Sequence, residues 1–372
     1  MSEVEKTREL VLRYGWNATA YQLVNPGIAH WLAGDGDAVI GYVRKNHTRV
    51  VAGSPVCSLE RLPDLISEWE SISRRRHDRV CYFGAAGRIM KLLGGRPGYS
   101  TVVLGSQPVW NPQTWARTVD AVPSLRQQFN RARNKGVRIE EWTAAQANGN
   151  RDLQRVLGQW LATRGLPPLH FLVEPDTLSL LEGRRIFVAT MPAPGGTSEF
   201  ARAPREVVGF LVMSPIPVRN GWLTEQFVRG WRAPNGTVEL MVDYAVRAVA
   251  ASGSTYVTMG LVPLSSQGAT KSESNPLWLA GLMAWLRAHF RRFYNFGGLE
   301  AFKAKFRPDR WEPIYAISNE PRFSLKTLYA VTAAFTNCPP LLAVVKGLWR
   351  ALRQEVSWLI NGTRRARIDL SR

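Results

Sequence analysis

The sequence has few cysteines and no long apolar run, and both shortages limit what the protein can be. Cys57, Cys81 and Cys338 are far apart, form no C-x-x-C pair and have no histidine nearby at metal-ligand spacing. This pattern argues against a zinc site and predicts reduced, structural thiols. No apolar run reaches about 18 residues, the length that a membrane-spanning helix requires. The N-terminus is charged and lacks the apolar core of a signal peptide, so we expect a cytoplasmic protein.

Acidic residues are also scarce relative to basic ones. The 29 Asp and Glu residues oppose 48 Lys and Arg residues, which gives a formal net charge of +19. Such a basic surface predicts a polyanionic partner, either a nucleic acid or an anionic membrane face, because both attract clustered cations. The length of 372 residues predicts two domains, and 45% apolar residues are sufficient for ordinary cores.

A strand, a turn and a helix follow one another without interruption over residues 222–246. Apolar residues such as Phe227 predict the strand, P-N-G predicts the turn, and Thr237 suits the N-cap of the helix. The free N–H groups at a helix N-terminus bind anions, and Arg229 and Arg232 add positive charge there. An ordinary strand-to-helix junction with solvated arginines fits the same pattern.

A basic amphipathic helix is predicted over residues 124–136. Its apolar stripe predicts packing against a core, and a glycine ends it. The other positions carry four basic residues: Arg126, Arg131, Arg133 and Lys135. A phosphate-binding face and a soluble surface helix both agree with this composition.

Aromatic and basic residues alternate over residues 293–315. Lys303 and Lys305 lie close to Phe306 and Trp311 in this stretch. The combination suits a site that holds a phosphate or stacks an unpaired base. An aromatic core with a basic rim is the alternative interpretation.

Short apolar strands alternate with helical patterns along most of the chain, which predicts an α/β fold. The polar stretch that contains A-N-G-N predicts a boundary between a first domain, residues 1–147, and a second domain, residues 148–335. The sequence pattern of residues 336–372 predicts a basic amphipathic tail. Such a tail either lies on an anionic bilayer surface or docks on its own domain.

These motifs resemble those of the soluble C-terminal domain of the phosphatidylglycerol lysyltransferases and alanyltransferases, the DUF2156 family. T-E-Q-F-V-R, P-N-G-T-V-E-L-M and M-G-L-V-P-L-S are similar to the family's strand, helix start and following loop. F-G-G-L-E-A-F-K-A-K-F-R-P-D-R-W-E-P-I-Y is similar to the family's ending, and L-R-Q-Q-F-N-R-A-R-N-K-G resembles its basic helix. The resemblance covers about residues 35–320.

The resemblance implies two tandem GNAT-type acyltransferase folds, each a mixed sheet flanked by helices. It also implies an enzyme that moves an aminoacyl group from aminoacyl-tRNA to the hydroxyl of a membrane lipid such as phosphatidylglycerol. The first fold would then face the anionic phospholipid, and the second would face the tRNA. The reaction requires no acetyl-CoA or other cofactor and no metal. The multi-span flippase that often precedes the domain is absent from this sequence, so we expect no lipid translocation.

The resemblance also assigns site positions. The catalytic positions are Glu225, Arg229, Glu239 and Lys303. The substrate-binding positions are Arg232, Asn235, Gly236, Met259, Gly260, Ser265, Lys305, Trp311 and Tyr315. The four basic residues of the helix over residues 124–136 would contact tRNA phosphates. In the implied reaction the glutamates hold the α-ammonium or orient the acceptor hydroxyl, and the catalytic basic residues hold a phosphate or the oxyanion.

Two motifs depart from the family pattern. The family usually has G-D-P where this chain has Gly53, Ser54 and Pro55. It also has G-E-E-A where this chain has G-S-Q-P at residues 105–108. Both departures lie in the first predicted domain and concern the acceptor side.

Three other functions agree with parts of the pattern. A CoA-dependent GNAT acetyltransferase would use the same strand, turn and helix, but the residues after Arg229 do not fit its [QR]-x-x-G-x-[GA] signal. An aminoacyl-tRNA-dependent enzyme with a soluble acceptor fits the same motifs. A non-enzymatic nucleic-acid-binding protein would use the basic surface alone.

Overall fold

The computed structural model describes residues 2–163, 169–193, 204–265, 267, 275–276, 278, 281 and 296–336. These residues form a mixed sheet of twelve strands. In chain order the strands are β1 Ala29–Leu32, β2 Val39–Lys45, β3 Thr48–Ala52, β4 Arg79–Ala85, β5 Ser100–Trp110, β6 Arg138–Trp142, β7 Arg185–Pro192, β8 Arg205–Ile216, β9 Gly221–Arg229, β10 Tyr256–Thr258, β11 Val262–Pro263 and β12 Arg310–Ser318.

Helices flank the sheet on both faces. They are α1 Glu3–Tyr14, α2 Leu62–Arg75, α3 Gly87–Leu93, α4 Trp115–Asp120, α5 Pro123–Asn134, α6 Ala144–Ala147, α7 Arg151–Ala162, α8 Thr237–Ala251, α9 Phe296–Ala304 and α10 Leu325–Thr336. The prediction of a mixed α/β fold with helices on the sheet is therefore confirmed.

Because helices pack on both faces of the sheet, its strands contain continuous apolar runs. Because successive side chains of a strand point to opposite faces, Ile186 and Val188 of β7 pack with α7, whereas Phe187 and Ala189 pack with α5 and α8. All four side chains are buried. Full burial of an apolar side chain of this size stabilises the fold by about 1.5–3 kcal/mol, so both faces contribute to the core.

The strand order is symmetric about the centre of the sheet. The path runs β1-β2-β3-β4-β12-β5-β10-β9-β8-β7-β6, and β11 pairs with β5 beside it. In one half-sheet, α2 joins the parallel strands β3 and β4, and β12 lies next to β4. In the other, α8 joins the parallel strands β9 and β10, and β5 lies next to β10.

We call these the first half-sheet (β1–β4 and β12) and the second half-sheet (β5–β10). The chain returns from the second half-sheet to the first at β12. β12 lies in the first half-sheet, and α10 packs there against β2 and β3. The predicted domain boundary after residue 147 falls at the end of α6, although β5 and β6, which precede it, lie in the second half-sheet. The two-domain division itself stays a prediction.

The structure describes two of the three cysteines but not the predicted C-terminal tail. Cys57 and Cys81 are buried free thiols, as predicted. Cys338 and the tail beyond residue 336 lie outside the described residues. Within the part of the chain that the structure describes, no helix combines the length and the apolar character needed to cross a membrane.

Candidate active site

The candidate active site lies where the parallel strands β9 and β10 end beside the start of α8, a place where α/β sheets commonly bind ligands. Gly236 is the N-cap of α8 and has a φ of +92°. A Cβ at this position would collide with the backbone carbonyl of Gln128 in α5, so only glycine fits. Thr237, predicted as the N-cap, is instead the first helical residue and donates its hydroxyl to the carbonyl of Pro234 at 2.7 Å.

The guanidinium groups of the two arginines of this turn already have partners within the protein. The Arg229 Nη2 donates to the carbonyl of Ala233 at 2.8 Å and to the Asn235 Oδ1 at 3.0 Å. Arg232 forms an ion pair with Glu206 at 3.1 Å. In this structure the Arg229 guanidinium therefore stabilises the turn conformation, and Asn235 orients it.

Lys303 is buried in a cage of backbone carbonyls. Its Nζ donates to the carbonyl oxygens of Met259 at 2.6 Å, Gly260 at 2.9 Å and Leu261 at 3.2 Å. An ammonium has three N–H donors, so the cage uses all of them. The side chain is almost fully buried, and this burial lowers its pKa to about 7. Lys303 thus fixes the loop that leaves β10, which contains two of the predicted substrate-binding positions.

A second lysine of the same segment connects it to α8. Lys305 forms an ion pair with Glu239 in the first turn of α8, and its Nζ lies 4.0 Å from the ring centroid of Phe302. The Glu239 and Lys305 side chains are 14% and 31% exposed, so substrate can reach the pair. Ser265 donates its hydroxyl to Glu300 at 3.2 Å, which ties the loop to α9.

The structure places the predicted catalytic Glu225 apart from this cluster. Glu225 lies at a β-bulge of β9 and forms an ion pair with Arg184 at 2.9 Å. Their side chains are only 8% and 1% exposed. Arg184 also donates to Asn25 at 3.2 Å. Among the described residues, no hydrogen bond or ion pair joins Glu225 to Glu239, Lys303 or Lys305.

Two predicted positions of β12 lie on the strand that crosses to the first half-sheet. Trp311 is opposite Pro108 of β5. Tyr315 is buried in the core beneath α2 and α3, among residues of the first half-sheet such as Tyr82. Tyr315 is therefore a core residue, and the structure brings it to a different cluster from Lys303.

The basic residues of α5 divide into two pairs. Arg126 donates to the backbone carbonyls of Val119 and Asp120 and so ends the preceding helix α4. Arg133 lies 3.7 Å from the carboxylate of Asp243. All four residues are exposed, but among the described residues Arg131 and the C-cap residue Lys135 have no hydrogen-bonded or ion-paired side chain. They remain the α5 residues best placed to contact a phosphate.

The comparison with known families decides where this fold belongs. The sequence model described as phosphatidylglycerol lysyltransferase, C-terminal, matches residues 8–318. The chain belongs to this family. The predicted membership of a transferase family is therefore confirmed.

Curated members of the family are distant in sequence and much longer. The chain is 24% identical over 307 residues to the lysylphosphatidylglycerol biosynthesis bifunctional protein LysX of a Mycobacterium species (strain KMS), with 78% of this chain and 26% of the relative covered. It is 22% identical over 311 residues to the phosphatidylglycerol lysyltransferase of Bacillus subtilis, with 81% and 33% covered. The chain thus spans about a quarter to a third of the length of these relatives.

Two solved structures share the fold along nearly the whole chain. One is the DUF2156 domain of a putative lysylphosphatidylglycerol synthetase from Agrobacterium fabrum, with a TM-score of 0.72 and 21% identity; 90% of this chain and 96% of that one are covered. The other is L-PGS from Bacillus licheniformis, with a TM-score of 0.69 and 20% identity; 93% and 96% are covered. Both likenesses establish the fold of this family member.

Sequence reasoning missed a polar network at the centre of the sheet. Arg219 and Glu312 form a two-pronged ion pair at 2.7 and 2.8 Å, and the hydroxyl of Tyr256 donates to the same carboxylate at 3.0 Å. Gln107 also donates to it, at 3.2 Å. Burial would raise the pKa of the Glu312 carboxyl, but hydrogen bonding and charge from Arg219 outweigh burial and lower the pKa to about 2. The only sequence signal was the position of Glu312 within the R-W-E-P motif.

The described residues contain no group of three or more His, Cys, Asp or Glu side chains arranged to hold a metal ion. The described residues of the candidate site offer carboxylates, ammonium groups, guanidinium groups and backbone N–H groups. Such groups bind charged substrates, orient hydroxyl groups and stabilise an oxyanion.

Proposed function

We propose that this chain transfers an aminoacyl group from aminoacyl-tRNA to a hydroxyl of an anionic membrane lipid such as phosphatidylglycerol, at the membrane surface. The observation that carries the proposal is the family match over residues 8–318, together with the acidic and basic cluster at the ends of two parallel strands. The similarity to the phosphatidylglycerol lysyltransferase of B. subtilis supports the lipid acceptor. The net charge of +19 supports two polyanionic substrates.

The proposed reaction is a transesterification. The lipid hydroxyl attacks the carbonyl carbon of the aminoacyl ester, and a tetrahedral oxyanion forms before the ribose oxygen of the tRNA leaves. The proton of the lipid hydroxyl ends on that ribose oxygen, so the reaction consumes no acid or base. Because the ester is already activated, the protein has to orient both substrates, transfer one proton and stabilise the oxyanion.

The geometry supports different roles for the predicted site residues. Glu239 is partly exposed beside Lys305, so we assign it to the α-ammonium of the aminoacyl group or to the acceptor hydroxyl. Lys303 uses its donors on carbonyl groups, so we assign it as a positioning residue of the loop after β10. Arg229 positions the turn before α8 in the same way. Glu225, held by Arg184, supports β9.

We also propose that the two half-sheets correspond to two tandem units with different substrates. Each half-sheet contains a parallel strand pair joined by a helix, which supports an internal repeat. The second unit would bind the tRNA, with Arg131 and Lys135 of α5 contacting phosphates. The first unit would bind the acceptor.

A soluble acceptor is the second candidate function. Ser54 and Gln107 stand where the family usually has acidic residues, and Gln107 contacts Glu312 at the junction of the half-sheets. A changed acceptor side would follow from these replacements. The donor and the reaction would stay the same.

Labelled aminoacyl-tRNAs incubated with phosphatidylglycerol vesicles test the proposal. We expect a new labelled lipid on chromatography, and we expect Glu239→Gln to lower its rate by about 10²-fold or more. Glu68→Gln removes an exposed carboxylate of α2 and serves as the matched control. Label that moves to a soluble glycerol compound but not to vesicles would favour the second candidate. Equal binding of charged and uncharged tRNA without any transfer would contradict both.

A further inference from the structure

One end of the first half-sheet carries a concentrated positive charge. Three segments meet there: the β2–β3 hairpin at residues 44–49, the end of α2 and start of β4 at residues 74–79, and the start of α10 with the loop before it at residues 319–326. Together they contain nine Lys and Arg residues and two Asp and Glu residues, a formal net charge of +7. More than a third of the formal charge of the chain, +19, is therefore concentrated in these three short segments.

Hydrogen bonds and an ion pair hold the three segments together. The backbone N–H of Arg79 donates to the carbonyl of His47 at 2.9 Å, which joins the start of β4 to the hairpin. The Arg79 guanidinium pairs with Glu320 at 3.3 Å. Glu320 also accepts hydrogen bonds from the hydroxyls of Ser324 and Thr327 at the start of α10. The three segments therefore form one continuous surface, which we call the basic end surface.

The two carboxylates of the basic end surface are shielded, whereas most of its cations face solvent. The Asp78 side chain is 0% exposed and pairs with Arg44 at 2.8 Å and with Arg49 at 3.0 Å. The Glu320 side chain is 14% exposed. Five exposed cations of this surface have no side-chain hydrogen bond or ion pair among the described residues: Arg74, Arg75, Arg76, Arg322 and Lys326. Their charge is therefore available to a partner from outside.

Exposed apolar side chains lie beside these cations. Leu325 is 68% exposed and lies between Arg322 and Lys326 in the sequence. Tyr329, one turn later in α10, is 39% exposed, and residues four apart share one face of a helix. An apolar side chain among cations gains little from water or from a phosphate backbone. It does gain from insertion between lipid headgroups, where tyrosine rings are also favourable.

We propose that the basic end surface docks the protein on an anionic bilayer, with its arginines attracted to the headgroups and Leu325 inserted between them. The partner is the charged membrane surface as a whole, so docking requires no pocket and does not depend on which acidic lipid supplies the charge. Each cation near such a surface strengthens binding about fivefold. An RNA would use the same cations but would leave Leu325 in water.

Strand directions decide which way docking turns the candidate active site. β10 is antiparallel to β5, β5 to β12 and β12 to β4, so β3 and β4 run opposite to β9 and β10. The starts of β3 and β4, at the basic end surface, therefore face the same direction as the ends of β9 and β10. A twist of about 20–25° per strand over the steps from β4 to β10 leaves the two directions within a right angle. The use of this orientation rests on the proposed function, whereas the docking surface itself does not.

Vesicle co-sedimentation without any tRNA tests the docking surface. The full chain is mixed with phosphatidylcholine vesicles that contain phosphatidylserine, an anionic lipid without a glycerol headgroup, so binding is measured in the absence of the proposed acceptor. We expect binding that weakens as salt rises and that disappears with phosphatidylcholine alone. The triple variant Arg74→Gln, Arg75→Gln and Arg76→Gln should weaken binding by about 10²-fold. If this variant does not fold, Arg322→Gln with Lys326→Gln should weaken binding by about 20-fold.

A matched control removes the same charge from another part of the protein. It replaces by Gln three exposed arginines of the second half-sheet and its helices that have no side-chain hydrogen bond or ion pair among the described residues: Arg117, Arg138 and Arg151. This control should bind within about twofold of the parent, because these charges lie outside the basic end surface. Replacing the three arginines at the end of α2 by Lys keeps the charge and should also keep binding.

The apolar contact has its own control. Leu325→Ser should weaken vesicle binding several-fold, because a side chain that enters the bilayer is lost. Leu59 is 53% exposed beside the other end of α2, so Leu59→Ser should leave binding unchanged.

Several outcomes would overturn the assignment. Equal weakening by the two triple Gln variants would show attraction to the general basic surface, and a parent that ignores anionic vesicles would rule out docking. Loss of binding in the Lys variant would indicate a site that requires guanidinium geometry. An RNA hairpin bound through the arginines of α2, together with vesicle binding that Leu325→Ser does not change, would assign the surface to nucleic acid. Loss of aminoacyl transfer with intact, arginine-dependent docking would contradict only the proposed reaction.

Discussion

Burial lowers the pKa of Lys303, so we expect the stability of the protein to depend on pH in a specific way. In Lys303→Met the side chain keeps a similar length but loses its charge and its three donors to residues 259–261. The variant loses hydrogen bonds, and it also loses the cost of burying an ammonium. These two effects oppose each other at pH 7, so the pH dependence is the informative quantity.

The magnitude follows from the pKa of Lys303. Each unit of pKa is equivalent to about 1.36 kcal/mol, so lowering it from 10.5 to about 7 places a penalty of roughly 5 kcal/mol on the charged form of the folded protein. Below pH 7 the lysine is protonated in both states, and the folded state bears the whole penalty. Between pH 7 and 10.5 the unfolded chain binds the extra proton, so the free energy of unfolding rises by about 1.4 kcal/mol per pH unit.

Urea unfolding at several pH values between 7 and 10 measures this effect. The free energy of unfolding of the parent should rise relative to that of Lys303→Met by a few kcal/mol across the range. Lys326→Met removes an exposed lysine of α10 and should keep the slope of the parent. Titration of the labelled lysine side chain by NMR should find one group that changes near pH 7. Parallel curves for parent and Lys303→Met would refute the buried, depressed pKa.

Three further substitutions test other contacts. Glu225→Gln should destabilise the fold by about 3–5 kcal/mol in chemical unfolding, because it leaves Arg184 buried without a countercharge; a change below 1 kcal/mol would contradict this. Gly236→Ala should cost about 1–3 kcal/mol because of its positive φ and the adjacent helix, whereas Gly158→Ala in the open face of α7 should be neutral or stabilising. Ionised Glu312 stabilises the fold at pH values above its pKa in the unfolded chain. This stabilisation is lost as the pH falls from 4.5 towards 2. Glu312→Gln should therefore flatten acid unfolding in that window, and an unchanged acid profile would rule out the strong pairing.

The junction of the two half-sheets combines a strand pair with side-chain contacts. β5 and β12 pair with each other at the centre, and the ion pair of Arg219 with Glu312 lies at this junction. Trp16, which contacts Arg219, also contacts Arg88 of α3. A continuous set of contacts therefore connects α3 to the junction of the two half-sheets.

Local patterns predicted the elements around the candidate site well. The strand, turn and helix over residues 222–246 appear as β9, the turn and α8, because apolar periodicity and turn chemistry act over a few residues. The N-cap differed by one position. A threonine side chain is a common cap, but the close approach of α5 to Gly236 decides the geometry, and that approach is a tertiary contact.

The sequence by itself determined the α/β class, the basic surface, the family and the stretches that carry the site, since composition, periodicity and motif letters are local properties of the chain. Only the tertiary structure decided what each side chain does. Lys303 meets carbonyl groups 44 residues away, and Glu225 meets Arg184 41 residues away. Arg88 lies over the ring of Trp16, a residue from a distant segment of the chain. Charge and residue type are visible in the letters, but pairing and desolvation depend on which distant groups the fold brings within a few ångströms.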